Sequence, residues 1–336
     1  MNYIGSKLSL LNFIQTSVFE IAGKNNQSFC DLFAGTGIVG RYFKKLGYSV
    51  ISNDLQYYSY VLNRHYIGNN NALKFKKFPF GDIFGYLNTL MPTKGFIFDN
   101  YAAGGNTDRL YFSDNNAIRC DTIRMEIERL FQVNYITTDE YFFLLACLLE
   151  NIDKYANTAS VYAAFLKKLK TSAQKDFVIS PVETICSAKR QFVFNTDANE
   201  LIKNIKTDIL YLDPPYNERQ YASNYHLLET IAKYDNPIVS GKTGLREYKE
   251  QKSLYCRRQT VAKTFADIIR HANTKYIFLS YNNEGLMSFD EIKAIMSIRG
   301  QYGCFTQEYN RFKADKNRDY SASSTTEYIH WVKCDG

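Results

Sequence analysis

Leu8, Leu11, Ile14, Val18 and Ile21 recur at helical spacing, with Ser6 standing where an N-cap would. The next apolar run, SFCDLF (28–33), is short and continuous, as in a buried strand. AGTG (34–37) is a turn, and IVGRYFKKLG (38–47) is a helix that should end at Gly47. YSVISND (48–54) then reads as a second strand, which completes a βαβ unit.

The pattern changes from about Asn69. GNNN (68–71), KFKKFPF (74–80) and the glycine-rich NYAAGGNTDR (100–109) are loop-like. Helices are predicted near 116–131, where Ile123, Ile127 and Leu130 align, and near 139–154, where Thr137 and Glu140 form a capping-box pair. SVYAAFLKKLK (160–170) reads as a third helix. The stretch 72–190 is therefore expected to be a mostly helical insert between 1–71 and 191–336.

Alternation of strand and helix resumes with QFVFNTDANELIKNI (191–205). DILYL (208–212) and KYIFLSY (275–281) are apolar runs suited to burial on both faces of a parallel sheet. SFDEIKAIMSIRG (288–300) is a helix with a Ser288–Glu291 capping box and a terminal Gly300. TEYIHWVK (326–333) is a last strand, after a polar stretch (314–324) read as mobile. The expected fold is α/β: a doubly wound, mostly parallel sheet with an inserted helical domain.

With 336 residues, 45% hydrophobic and 22% charged, the chain has the composition of an ordinary globular protein. No apolar run approaches the roughly 20 residues of a membrane span, and no secretory pattern opens the chain, so a cytoplasmic location is expected. The seven cysteines include no C-x-x-C pair and the four histidines are scattered, so neither a disulfide framework nor a metal site is expected. Between Ser240 and Arg270, eight Lys/Arg face three acids, a local +5 out of a net +7. Such a concentration fits a polyanionic partner or a solvated helix face.

The turn after the first strand carries Gly35, Gly37 and Gly40, a G-x-G-x-x-G pattern followed by Asp54 on the next strand. Alone this fits a nicotinamide cofactor. Asp31, however, stands just before the glycines, where it would repel a pyrophosphate and attract an ammonium group. Asp31 and Asp54 together suit a ligand with an amine at one end and a ribose at the other, namely S-adenosylmethionine (SAM). Asp197 is a further candidate, for the adenine amine, and is also placed to cap the following helix with Glu200.

The strand DILYL delivers Asp213-Pro214-Pro215-Tyr216 to the carboxyl edge of the sheet, where ligands bind in doubly wound folds. The prolines stiffen the turn and leave the Pro214 carbonyl without a helical donor. A fixed carboxylate and a fixed carbonyl are two acceptors, matching the two donors of an exocyclic amine. Tyr216 adds an aromatic face for a base.

DPPY, together with DLFAGTG and an N-terminal NYIGSK, resembles the N6-adenine DNA methyltransferases with Dam-like motif order, in the modification-methylase branch of restriction–modification systems. VISNDLQYYSYVL, YANTASVYAAFLKK, NERQYASNYHLLETIAKYDNP and LSYNNEG extend the resemblance over nearly the whole chain. The resemblance implies a class I SAM-dependent methyltransferase fold. By position, Tyr3 and Lys7 would line the methionine end of SAM, and Asp31, Phe33, Ala34, Gly35 and Gly37 its cradle. Asp54 would bind the ribose, Leu55 would lie on the adenine ring, and Asp197 would take its amine. Asp213, Pro214, Pro215 and Tyr216 would hold a target adenine flipped out of double-stranded DNA. The insert would recognise the target, and 217–262 would contact DNA, with Lys7, Arg219, Tyr221, Arg257 and Arg258 as candidates. A cognate restriction endonuclease acting on the same site is an implied partner. RNA base-amine methylation and N4-cytosine DNA methylation use related loops and stand as alternatives.

Overall fold

The computed structural model describes residues 5–310 and 324–335. Tyr3 and most of the polar stretch 314–324 lie outside the described residues. The chain divides into two compact units.

One unit comprises Lys7–Leu55, Ser187–Tyr221 and Gln251–Gly336. Its seven strands are β1 (Ser28–Asp31), β2 (Ser49–Asn53), β3 (Phe192–Phe194), β4 (Lys206–Leu212), β5 (Asn273–Asn282), β6 (Gly300–Asn310) and β7 (Ser324–Cys334). They form one sheet in the order 3-2-1-4-5-7-6. β1 to β5 are parallel, and β7 runs antiparallel to both β5 and β6. The register explains the apolar runs. Ile51, Cys30, Leu210, Ile277 and Val332 are paired in one row across five strands and belong to one core layer. Burying side chains of this size stabilises by about 1.5–3 kcal/mol each. Beneath the opposite face, Phe29 stacks on Phe43 at 3.8 Å between ring centroids. β6 carries no clear strand pattern in the sequence: two glycines interrupt GQYGCFTQEYN, and Gly303 lies opposite Trp331, leaving that ring room.

The first helix differs from expectation. It spans Leu11–Ala22, preceded by a 3-10 turn at Leu8–Leu10, and Ser6 does not cap it. That turn closes with Leu10 N–H donating to the Lys7 carbonyl at 2.9 Å. The helix after the glycine loop runs Ile38–Lys45, and Gly47 beyond it has φ +87°.

The other unit comprises Met1–Ser6, Gln56–Cys186 and Ala222–Glu250. The boundary expected at residue 72 falls instead at Gln56, and 222–250 belongs with the insert. Glu229 supplies the physical reason. Its carboxylate is buried and accepts the N–H groups of Tyr57 and Tyr58, 3.2 and 2.9 Å away, at the start of the helix Tyr57–Asn63. The two long helices predicted here are Asp114–Gln132 and Thr138–Tyr155, the second opened by the Thr137–Glu140 capping box. SVYAAFLKKLK is not a helix. Asn157 competes for its backbone: the side-chain amide donates to Leu110 and Leu166 carbonyls and accepts Lys170 N–H at 3.0 Å.

Candidate active site

β1 and β4 are adjacent and parallel, with Asp31 opposite Tyr211. Asp213, two residues further on, emerges at the same carboxyl edge. Strand order reverses between these two strands, which leaves a crevice at that edge.

The glycine loop closes over Asp31. Gly35 and Gly37 have φ +52° and +76°, a region a side chain would disfavour, and Gly37 is the N-cap of the helix Ile38–Lys45. Asp31 is 1% exposed, and its Oδ2 accepts Gly40 N–H at 2.9 Å. Burial, then the neighbouring Asp213 carboxyl, pushes its pKa up to about 8. Asp54, at the end of β2, accepts Gly35 N–H at 2.8 Å and so ties the second strand to the loop. Ala34 N–H donates to the Asn53 carbonyl at 2.9 Å. Phe33 is half-buried and packs edge-on against Tyr255, 5.0 Å between centroids. Leu55 is half-buried beside Asp54.

Asp197 is exposed beyond β3 and caps the helix Ala198–Leu201, Oδ1 accepting Asn199 and Glu200 N–H at 2.8 and 3.2 Å. Glu200 turns instead to Lys203 at 2.8 Å.

Among the described residues Asp213 is held through Oδ1. Lys7 Nζ lies 3.1 Å from Oδ1, and the Tyr216 hydroxyl donates to the same oxygen at 2.6 Å. Among the described residues neither contact involves Oδ2, and the side chain keeps 17% of its exposure. Lys7 itself is only 5% exposed and sits 4.8 Å from the centre of the Tyr216 ring, a cation–π contact. Burial raises the pKa of Asp213, while Lys7 and the Tyr216 hydroxyl pull it back. Tyr216 is fixed in turn by Ser280 Oγ, 3.3 Å from its hydroxyl, by the Tyr281 ring at 4.9 Å, and by its carbonyl, which accepts Leu286 N–H at 2.9 Å. Pro214 is buried and Pro215 half-buried.

The basic candidates are more dispersed. Arg219 and Arg257 are exposed. Arg258 is also exposed but forms a two-pronged pair with Glu291, at 3.0 and 2.9 Å. Tyr221 is half-buried and opens the short helix Tyr221–Asn224. Residues 240–250 of the basic stretch belong to one unit and 251–270 to the other.

Three side chains here carry no sequence signal of their own: Ser280 and Tyr281 on β5, and Glu327 on β7. LSYNNEG marks the region of the first two without giving either a role.

A family model described as "D12 class N6 adenine-specific DNA methyltransferase" matches residues 3–295. The chain is 51% identical to the type II methyltransferase M.NlaIII of Neisseria lactamica, over 98% of each chain. It is 40% identical to the type II methyltransferase M.CviAII of Paramecium bursaria Chlorella virus 1, over 99% of this chain and 98% of that one. With the type II methyltransferase M.FokI of Planomicrobium okeanokoites it shares 39% identity over its whole length, which spans 53% of that longer protein.

Proposed function

Because the chain belongs to the D12 class N6 adenine-specific DNA methyltransferase family, we propose that Asp213–Tyr216 grips the target adenine and that the edge formed by Asp31, the glycine loop and Asp54 holds SAM. The reaction is site-specific methylation of adenine in DNA. The observation that carries the site assignment is the hold on Asp213 through Oδ1. Lys7 and Tyr216 fix Oδ1, so Oδ2 is presented as an oriented acceptor.

The residues at the glycine loop fit the cofactor. Buried Asp31, whose pKa is raised while the site is empty, would be ionised by an ammonium group brought beside it, the positive-φ glycines permit close backbone approach, and the Asp54 carboxylate lies at the end of the neighbouring strand. When bound, SAM supplies a methyl group on a positively charged sulfur. Asp213 Oδ2 and the Pro214 carbonyl each accept one N6 hydrogen, which keeps the nitrogen lone pair out of ring conjugation and aims it. The Tyr216 ring and buried Pro214 exclude water from one side of the base. Much of the rate comes from this positioning. Adenine N6 is paired inside a duplex, so the nucleotide must leave the stack first.

Recognition of the target sequence is assigned to 72–190, and backbone contacts to Arg219, Tyr221 and Arg257 in the segment after the catalytic loop. Arg258 joins them only by leaving Glu291. The relatives are type II modification enzymes, and this chain is read the same way, protecting DNA from a cognate endonuclease. Among the described residues no helix is long and apolar enough to cross a membrane.

The test is expression in a bacterial host lacking DNA methylation, with modified bases mapped by long-read sequencing. N6-methyladenine at one short motif, lost in Asp213→Ala, is the expected result. An unmodified genome from folded, SAM-binding protein would overturn the assignment.

A further inference from the structure

Glu327 on β7 lies directly opposite Asn282 on β5. Opposed side chains in an antiparallel pair share a face, and so do residues two apart along one strand. Ser280 therefore stands on that face too, with its Oγ 3.3 Å from the Tyr216 hydroxyl that donates to Asp213. The last strand thus brings a further carboxyl to the polar edge where Asp213 is held. Glu327 is half-buried, and among the described residues no donor reaches its shielded Oε2. A shielded carboxylate oxygen without a donor costs free energy, and such groups concentrate where they do chemistry.

Its surroundings define what it can do. Lys7, Asp213, Tyr211 and Tyr216 are the titratable groups whose charges reach it. Burial raises its pKa above the ordinary Glu value, Lys7 lowers it, the Asp213 charge raises it again, and the Asn282 side chain lowers it by donating to the carboxyl. Methylation leaves N6 with one proton too many. Asp213 Oδ2 is the first acceptor, and Asp213 must give that proton up before Oδ2 can accept from another adenine.

We propose that Glu327 takes over from Asp213 the proton that N6 releases on methylation. The proposal rests on reading Asp213 as the N6 acceptor. The N6–H bond breaks with its electron pair left on nitrogen. The proton is held first on Asp213 Oδ2 and then on Glu327 Oε2. Both groups begin as carboxylates, Asp213 ends as one, and Glu327 later loses the proton to solvent. Glu327 acts through Asp213 and is a positioning residue in this scheme.

The test compares wild-type protein, Glu327→Gln and Glu327→Asp in single-turnover methylation of unmethylated DNA, from about pH 5 to about pH 9. Glu327→Gln should slow transfer by about 10²-fold and flatten the acidic limb of the profile, and Glu327→Asp should restore part of both. A second readout needs no cofactor or DNA. In carboxyl carbon NMR of ligand-free protein, the signal missing from Glu327→Gln should titrate above the ordinary Glu range and move higher still in Lys7→Met. Wild-type rate and profile in Glu327→Gln, or an ordinary titration of that signal, would overturn the proposal. Failure of the wild-type enzyme to make N6-methyladenine would instead remove the reading of Asp213.

Discussion

At the scale of single residues, Lys7 makes the clearest contribution. A buried ammonium beside a carboxylate favours the charged form and offsets part of the upward push that burial gives its pKa. Replacing Lys7 by Met removes that influence, so the pKa of Asp213 rises. Its ionised form is then lost at higher pH, and below the new midpoint the ionised fraction falls about tenfold for each pH unit. The acidic limb of the methylation profile should move to higher pH, as single-turnover rates would measure. An unmoved limb would deny Lys7 this role. Asp54 acts on the other ligand. Asp54→Ala loses both the proposed ribose contact and the bond to Gly35 N–H, so SAM affinity should fall by about 10-fold or more. Calorimetric titration would measure it, and equal affinity would reject the ribose role.

At the scale of elements, side chains that bond to backbone decide where strands and helices meet. Asp208 on β4 accepts Gln27 and Ser28 N–H and the Ser28 hydroxyl at 2.9–3.1 Å, and pairs with Lys275 on β5 at 2.8 Å, clamping three strands. Although burial opposes it, the Lys275 pairing and the bonds to Gln27 and Ser28 depress its pKa to about 2. A depressed carboxyl stabilises the fold above its unfolded pKa, and that contribution is lost as pH falls from about 4 to about 2. Asp208→Asn should therefore cost about 1–2 kcal/mol at neutral pH, discounted for the exposed Lys275, and almost nothing at pH 2. Denaturant unfolding at the two pH values would measure this. Asn157 plays the comparable part in the other unit. Its side-chain bonds override the helical pattern of 160–170, which spacing alone could not reveal.

For the whole molecule, acid sensitivity is written into both units. His226 and His330 are fully buried, and burial pushes each pKa down to about 4. The unfolded chain takes up these protons first, near pH 6.5. Stability is thus complete above about 6.5 and falls as pH drops toward 4, by up to about 3 kcal/mol for each histidine. His226→Gln and His330→Gln should each flatten part of that decline in urea unfolding measured between those pH values. A decline unchanged in both variants would place the acid sensitivity elsewhere.

The sequence by itself determined the parallel strands, the glycine turn and the loop DPPY, because apolar runs, positive-φ glycines and paired prolines act over a few residues. It also determined the family, since several such motifs follow one another in a fixed order. Only the tertiary structure decided that Tyr57–Asn63 and His226–Lys233 pack with the insert, through one buried Glu229 more than 170 positions away in sequence from the helix it caps. Likewise, only strand pairing set Glu327 opposite Asn282, and only the packed fold put Lys7 on Asp213. Such contacts join residues far apart along the chain, and spacing carries no trace of a partner that folding alone brings near.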